Sequence, residues 1–235
     1  MSRISVVIPT WNAAAHLAEC LAAVAEADET IVVDGGSSDD SVAIANAAGA
    51  TVTPAPRGRG RQLAAGADAA SGDALLFLHA DTVLDREWRA AAEAHLRDAA
   101  DRPACFTFAL DDPAWQARIL ERGVAVRSRL LALPYGDQGL LLTRALYGSA
   151  GGFHPLPLME DVDRLRRLPR PVVLAPVART SAGRWRSDGW WARSARNLTL
   201  LALWRAGVNE ARLATLYDRS HRAAPSPPPT APPGA

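Results

Sequence analysis

Carboxylates and one imidazole stand at the ends of apolar runs in this chain, at spacings suited to ligand and acid–base chemistry. The run Leu75-Leu76-Phe77-Leu78 leads straight into His79-Ala80-Asp81-Thr82. If strand geometry persists to Asp81, the period of two puts His79 and Asp81 on one face, as two neighbouring ligands for a metal or cofactor. A His–Asp hydrogen bond closing the strand end satisfies the same spacing, so this motif alone leaves both readings open. Asp34 follows a second apolar run, Ile31-Val32-Val33. Far downstream, Glu160-Asp161 opens a short helical pattern.

The elements that must position these groups alternate. Ile4 to Ile8 forms a β-branched strand stopped by Pro9, and Ala14, Leu17, Leu21 and Val24 trace a helix. Ile31–Val33 is a second strand, with helix N-cap candidates from Ser37 to Asp40. Thr51–Thr53 is a third, and a small-residue helix runs from Gln62 to about Ala70 before the apolar run at Leu75. This order predicts an open, mainly parallel sheet with helices on both faces. In such sheets ligands gather past the carboxyl ends of the strands, so Asp34, His79, Asp81 and the stretch Pro9-Thr10-Trp11-Asn12 converge on one edge. An aromatic there can stack on a base, and an aspartate can accept hydrogen bonds from a base or ribose.

Downstream, Trp88, Ala92, His95 and Ala99 mark a helix face, and Cys105–Ala109 alternates like a strand. Trp115, Ile119, Val126, Leu130 and Leu133 give a long helical stripe, weakened at Gly123. Pro134-Tyr135-Gly136-Asp137-Gln138 breaks it and offers polar groups for an acceptor site. Val172–Leu174 is a last strand. The helix from Trp190 to Ala206 is too polar to span a membrane; its tryptophans and arginines suit an interfacial or partner-binding helix, with ordinary packing the stronger reading. Residues 223–235 are proline-rich and expected to be disordered.

Composition removes several function classes. In 235 residues, 26 basic groups face 25 acidic ones, so nothing in the balance calls for nucleic acid. Every basic residue is an arginine, which rules out a lysine-dependent phosphate loop and lowers the weight of any single arginine. Gly58 and Gly60 begin a Gly-x-Gly, but Leu63 stands where the dinucleotide fingerprint needs its third glycine. There is no His-Glu-x-x-His and no Gly-x-Ser-x-Gly. Two cysteines, Cys20 and Cys105, are too few for a disulfide scaffold. Met1-Ser2-Arg3 passes directly into a strand-like run with no room for a signal peptide, so the expected location is cytoplasmic.

The ordered set Val6-Val7-Ile8-Pro9-Thr10-Trp11-Asn12, Ile31-Val32-Val33-Asp34-Gly35-Gly36-Ser37-Ser38-Asp39-Asp40-Ser41 and Ser71 to Thr82 resembles the family 2 glycosyltransferases of GT-A fold. Gly151-Gly152-Phe153 followed by Met159-Glu160-Asp161 matches a later landmark of that family. The likeness covers roughly positions 4 to 168, and the Leu-His-Ala-Asp-Thr form points to a small, soluble bacterial branch. The resemblance implies a GT-A type, Rossmann-like sheet with a C-terminal helical segment. It implies one domain over 1–222, with a nucleotide-sugar half to about 100, an acceptor half to about 188 and helices beyond.

It also implies inverting transfer of a sugar from a nucleotide diphosphate sugar to an acceptor hydroxyl on a small molecule or a lipid-linked one. Asp161, with Glu160 beside it, would be the catalytic base. The donor-binding set carried over is Pro9, Thr10, Trp11, Asn12, Asp34, Gly35, Arg57, Gln62, Asp81 and Arg184. Asp81 and His79 would hold Mn²⁺ or Mg²⁺, which neutralises the leaving diphosphate. Departures bear on this. His79 stands where many relatives carry aspartate, which favours Mn²⁺ over Mg²⁺. Gly35 replaces a second aspartate, and Ala64 an asparagine. Arg184-Trp185 is similar to the arginine–tryptophan pair of processive members, but Ser181 replaces their glutamine. Competing readings are a sugar nucleotidyltransferase and a non-catalytic nucleotide-sugar-binding module. Contact with a membrane surface, on the inner face of the membrane, is admitted by the helix at Trp190.

Overall fold

The structure is a computed structural model that describes residues 2–222; the expected disordered tail, 223–235, lies outside the described residues. Its contacts divide the chain into a first unit ending at Ser181 and a second beginning at Ala182. The first unit is built on one eight-stranded sheet. Its strands are β1 (Ile4–Thr10), β2 (Glu29–Asp34), β3 (Thr51–Pro54), β4 (Ala74–Phe77), β5 (Thr82–Leu84), β6 (Ala104–Leu110), β7 (Leu140–Thr143) and β8 (Val172–Thr180).

The spatial order is β3-β2-β1-β4-β7-β6-β8-β5. The half made of β3, β2, β1 and β4 is parallel throughout, as the alternation predicted. Beyond it β7 runs antiparallel to β4 and β6, β8 is parallel to β6, and β5 is antiparallel to β8. The sheet is therefore mixed: the long helical connection over residues 111–139 returns the chain antiparallel to β6 instead of crossing over to a parallel strand.

Both faces of the sheet are covered, which is why β1 and β4 read as unbroken apolar runs. On one face Ile4, Val6, Ile8 and Leu76 meet Leu17 of α1 (Ala14–Ala23), Ala45 of α2 (Ser41–Ala47) and Trp88 of α4 (Trp88–Asp98). On the other, Val7, Val33, Leu75 and Phe77 meet Leu63 and Ala67 of α3 (Arg59–Ala69) and Leu165 of α7 (Glu160–Arg166). Gly66 makes the α3 contact: a Cβ there would lie 2.3 Å from Val7 Cγ1. The helix begins three residues earlier than its apolar pattern suggested, inside the run Arg57-Gly58-Arg59-Gly60-Arg61.

Pro9 does not stop β1, which continues to Thr10. The β1–β4 pairing ends at Val7↔Phe77, and the missing N–H of Pro9 falls on that open side, where no ladder bond is lost. Several arginines serve as backbone staples. Arg144 donates to the carbonyls of Ala67, Ala70 and Gly72, and the fully buried Arg164 to those of Tyr147 and Ala150. Several of these carbonyls stand at the ends of α3 and of α6 (Arg144–Ser149), where intrahelical partners run out.

One amphipathic pattern faces outward. Within α5 (Trp115–Leu131) the apolar stripe points to solvent: Trp115 is 61% exposed and Leu130 69%. The helix meets the sheet through small residues instead, with Ala117 and Ser128 buried. The second unit consists of α8 (Gly183–Asp188), α9 (Trp190–Arg205) and α10 (Glu210–Arg222). Within it Asp188 pairs with Arg193 at 2.8 Å and Arg196 at 2.5 Å, and the Arg193 guanidinium lies 4.9 Å from the Trp185 ring centre. Among the described residues no helix is long and apolar enough to cross a membrane.

Candidate active site

The carboxyl ends of β1 and β2 are laced together. Gly35 N donates to Thr10 O at 2.8 Å, and Asn12, in the left-handed region at φ 49°, accepts from Ser38 N at 2.8 Å through its side chain. Asn12 N donates in turn to Ser37 Oγ at 2.9 Å. The buried Asp34 carboxylate accepts from Gly36 N, Ser37 N and Ser37 Oγ at 3.0, 3.0 and 2.6 Å. This fixes the carboxylate at the strand end while leaving lone pairs for a further donor. Trp11 is 44% exposed, with the Arg57 guanidinium 3.4 Å from its ring centre.

Gln62 is spent on the protein itself. Its Nε2 donates to Thr10 O and Val33 O at 2.8 Å each, and its Oε1 accepts from Gly58 N. It is a buried clamp behind the β1 and β2 ends, rather than an amide turned toward a ligand. The same helix, α3, reaches the second half of the site. Arg59 Nε pairs with Glu160 Oε1 at 2.7 Å, and Leu63 lines a narrow cavity with His79, Gly136, Glu160 and Asp161.

The expectation that His79 and Asp81 share a strand face is corrected. Strand β4 ends at Phe77, and Thr82 N donates to His79 O at 3.1 Å, closing a turn over residues 79–82. A turn, unlike a strand, does not return side chains to one face every second residue. His79 packs instead against Gly136, where an added Cβ would lie 2.5 Å from its Nε2. Its carbonyl also accepts from Cys20 Sγ. Among the described residues no group of three or more His, Cys, Asp or Glu side chains is spaced to hold a metal by itself.

Asp161 stands in the first turn of α7, held by Val162 N at 2.8 Å on Oδ1 and Gly136 N at 3.1 Å on Oδ2. Gly136 belongs to a 3-10 turn, Gly136–Gln138, that Ser128 of α5 anchors through Gln138 at 2.8 Å. Glu160 faces inward: it is buried, its Oε2 lacks a partner, and burial pushes its carboxyl up against the opposing pull of Arg59. Asp137 is close enough to Asp161 and Asp81 to feel both charges. Burial, and then the charges of Asp161 and Asp81, push its carboxyl up to about 6 although Arg127 opposes them. As a residue it is partly exposed, but its Oδ1 is sealed from solvent and has no partner.

The family model for glycosyl transferase family 2 matches residues 5–121, half of the chain, from β1 into α5. The chain belongs to glycosyl transferase family 2. This makes it a transferase, and solved structures share its GT-A fold. Mannosyltransferase PcManGT from Pyrobaculum calidifontis, in complex with GDP-Man and Mn²⁺, is similar at 18% identity over 94% of this chain and 70% of that one, with a TM-score of 0.65. TarS 1–349 from S. aureus matches at 18% identity over 90% and 68%, with a TM-score of 0.60. Glucosyl-3-phosphoglycerate synthase from Mycobacterium tuberculosis, with Mn²⁺, UDP and glucosyl-3-phosphoglycerate, matches at 22% over 77% and 70%, with a TM-score of 0.52.

In this family 2 transferase the first unit brings together Pro9 to Asn12, Asp34, Gly35, Arg57 and Gln62 at one end of α3, and His79, Glu160 and Asp161 at its other side. Arg184 belongs to the second unit, exposed on α8. Arg59 escaped the sequence, being visible only as one arginine of Arg57, Arg59 and Arg61, although a buried Glu160 needs a cation. Asp137 was legible only as one polar group of the acceptor turn, without its burial.

Proposed function

We propose that this transferase moves a sugar from a nucleotide diphosphate sugar to an acceptor hydroxyl with inversion at the anomeric carbon. The observation that carries this reading is Asp161, fixed by two backbone N–H groups in the lining of a cavity that α3 joins to the Trp11–Asp34 strand ends. Trp11 stacks the base, and Asp34 accepts a hydrogen bond from the base or ribose. The acceptor oxygen attacks the anomeric carbon as the bond to the diphosphate breaks. The electron pair leaves with the nucleoside diphosphate, and Asp161 takes the hydroxyl proton. Glu160 acts through Arg59, which it orients beside the site.

A divalent cation fits the residues present. Mg²⁺ and Mn²⁺ sites of this kind use one or two protein carboxylates and complete the shell with phosphate oxygens. The Asp81 carboxylate and the partnerless Oδ1 of Asp137 supply such oxygens without a three-residue cage. When bound, the cation neutralises charge developing on the leaving diphosphate.

A thermal-shift panel of UDP-, GDP- and dTDP-sugars with and without Mn²⁺ tests the donor site, since a ligand of the folded state raises the melting point. Asp161→Asn is expected to keep the donor-induced shift and lose about 10²- to 10⁴-fold in turnover. Turnover undiminished in Asp161→Asn rejects the base assignment, and no shift with any donor rejects the donor reading.

A further inference from the structure

Helix α5 has two working faces. Ala117 and Ser128 are buried on one side, while Trp115, Ile119, Val126 and Leu130 are 44% to 69% exposed on the other. At helical spacing these four fall within a sector of about 60°. Arg118, Arg122 and Arg129 border that sector along one edge, and all three are exposed. Arg118 is tied to Glu121 and to the Leu110 and Asp112 carbonyls. Arg170, which donates to the Arg129 carbonyl, adds a further cation at the C-terminal end of the helix. The helix carries four arginines against one glutamate, in a chain whose formal net charge is only +1.

We propose that this stripe seats the protein on the surface of an anionic lipid bilayer. An amphipathic helix with tryptophan and leucine on one face and arginines beside it lies in the headgroup region, its apolar side chains in the acyl boundary. Tryptophan favours that interface, and each arginine gains from the negative surface potential. A second copy fits the stripe poorly. A stable protein interface engages roughly 20–30 residues a side, whereas four apolar side chains project here and the stripe is open at Gly123, where an added Cβ would meet nothing within 4 Å. A two-fold contact would also set the arginine border near its own copy.

The inner face of the same helix supports the acceptor side of the site. Ser128 bonds Gln138, and the Arg127 guanidinium lies 3.5 Å from the Tyr135 ring centre, at either end of the turn that holds Asp161. If the transfer reaction proposed above is right, the acceptor hydroxyl is carried by a membrane lipid and approaches past α5; the docking itself does not depend on that reaction.

Co-sedimentation of the full chain with phosphatidylglycerol–phosphatidylcholine vesicles, against pure phosphatidylcholine and without donor, tests the docking. Binding to the anionic vesicles is expected, weakened about 30-fold by Arg122→Ala/Arg129→Ala and at least about tenfold by Ile119→Ser/Leu130→Ser, whose side chains enter the bilayer only in part. Both variants should melt as the parent does and keep its nucleotide-sugar thermal shift, so loss of docking and loss of the donor site read separately. No binding to anionic vesicles, or equal binding by both variants, overturns the proposal. So does a dimer in solution that Ile119→Ser/Leu130→Ser dissolves, which would assign the stripe to a second copy.

Discussion

Asp137→Asn should stabilise the metal-free protein at neutral and alkaline pH and do nothing in acid. The carboxyl ionises at 3.8 in an ordinary setting and at about 6 in the fold, chiefly because burial disfavours its charge. Below 3.8 both folded and unfolded forms are protonated and the side chain is neutral toward stability. Between 3.8 and about 6 the unfolded chain releases its proton first, so stability falls as pH rises. Above that window the full penalty stands, about 3 kcal/mol at 1.36 kcal/mol per pH unit of displacement. An asparagine has the same shape and no charge, so the variant should melt about 6–12 °C above the parent at pH 8 for a chain of this size. The gain should shrink through pH 5 and vanish near pH 4. The assay is thermal or urea unfolding across pH in chelator, so that no cation neutralises the carboxylate. A difference independent of pH, or a variant less stable than the parent at pH 8, refutes the argument.

Trp11→Ala should weaken donor binding about 5- to 150-fold, the range expected from removing one aromatic stacking platform, read by calorimetry with the donor that the thermal-shift panel selects. Gln62→Leu strips donors from the Thr10 and Val33 carbonyls in a buried position. Losing these bonds, with Thr10 O keeping the one from Gly35 N, should cost about 1–3 kcal/mol, visible as a lower denaturation midpoint, with donor affinity falling as the β1 and β2 ends loosen.

The first half of the fold was legible because its signals are local. Apolar runs at Ile4, Ile31 and Leu75, each followed by a helical period, specify strands buried on both faces. The family motifs at Pro9, Asp34 and Asp81 sit where those strands end. The later half was less legible. Residues 82–84 and the six-residue α6 are too short to carry a period, and the exposed stripe of α5 has the periodicity of a core-facing helix. Periodicity identifies an amphipathic helix without saying which face the protein covers.

At the site, residue types were readable and their partners were not. Asp161 could be named from the sequence. That Gly136, twenty-five positions away, donates to it depends on where the turn after α5 lands. His79 illustrates the limit: two residues from Asp81 in sequence, it packs on Gly136 because the chain turns after Phe77. Glu160 and Gln62 looked available for chemistry, but Arg59 and two backbone carbonyls engage them. The sequence by itself determined the family, the alternation of strands and helices in the parallel half and the acidic residues at the strand ends, since these follow from contiguous patterns. Only the tertiary structure decided which of those side chains are committed to the protein and which face a cavity, because burial and pairing are set by contacts between segments far apart in the chain.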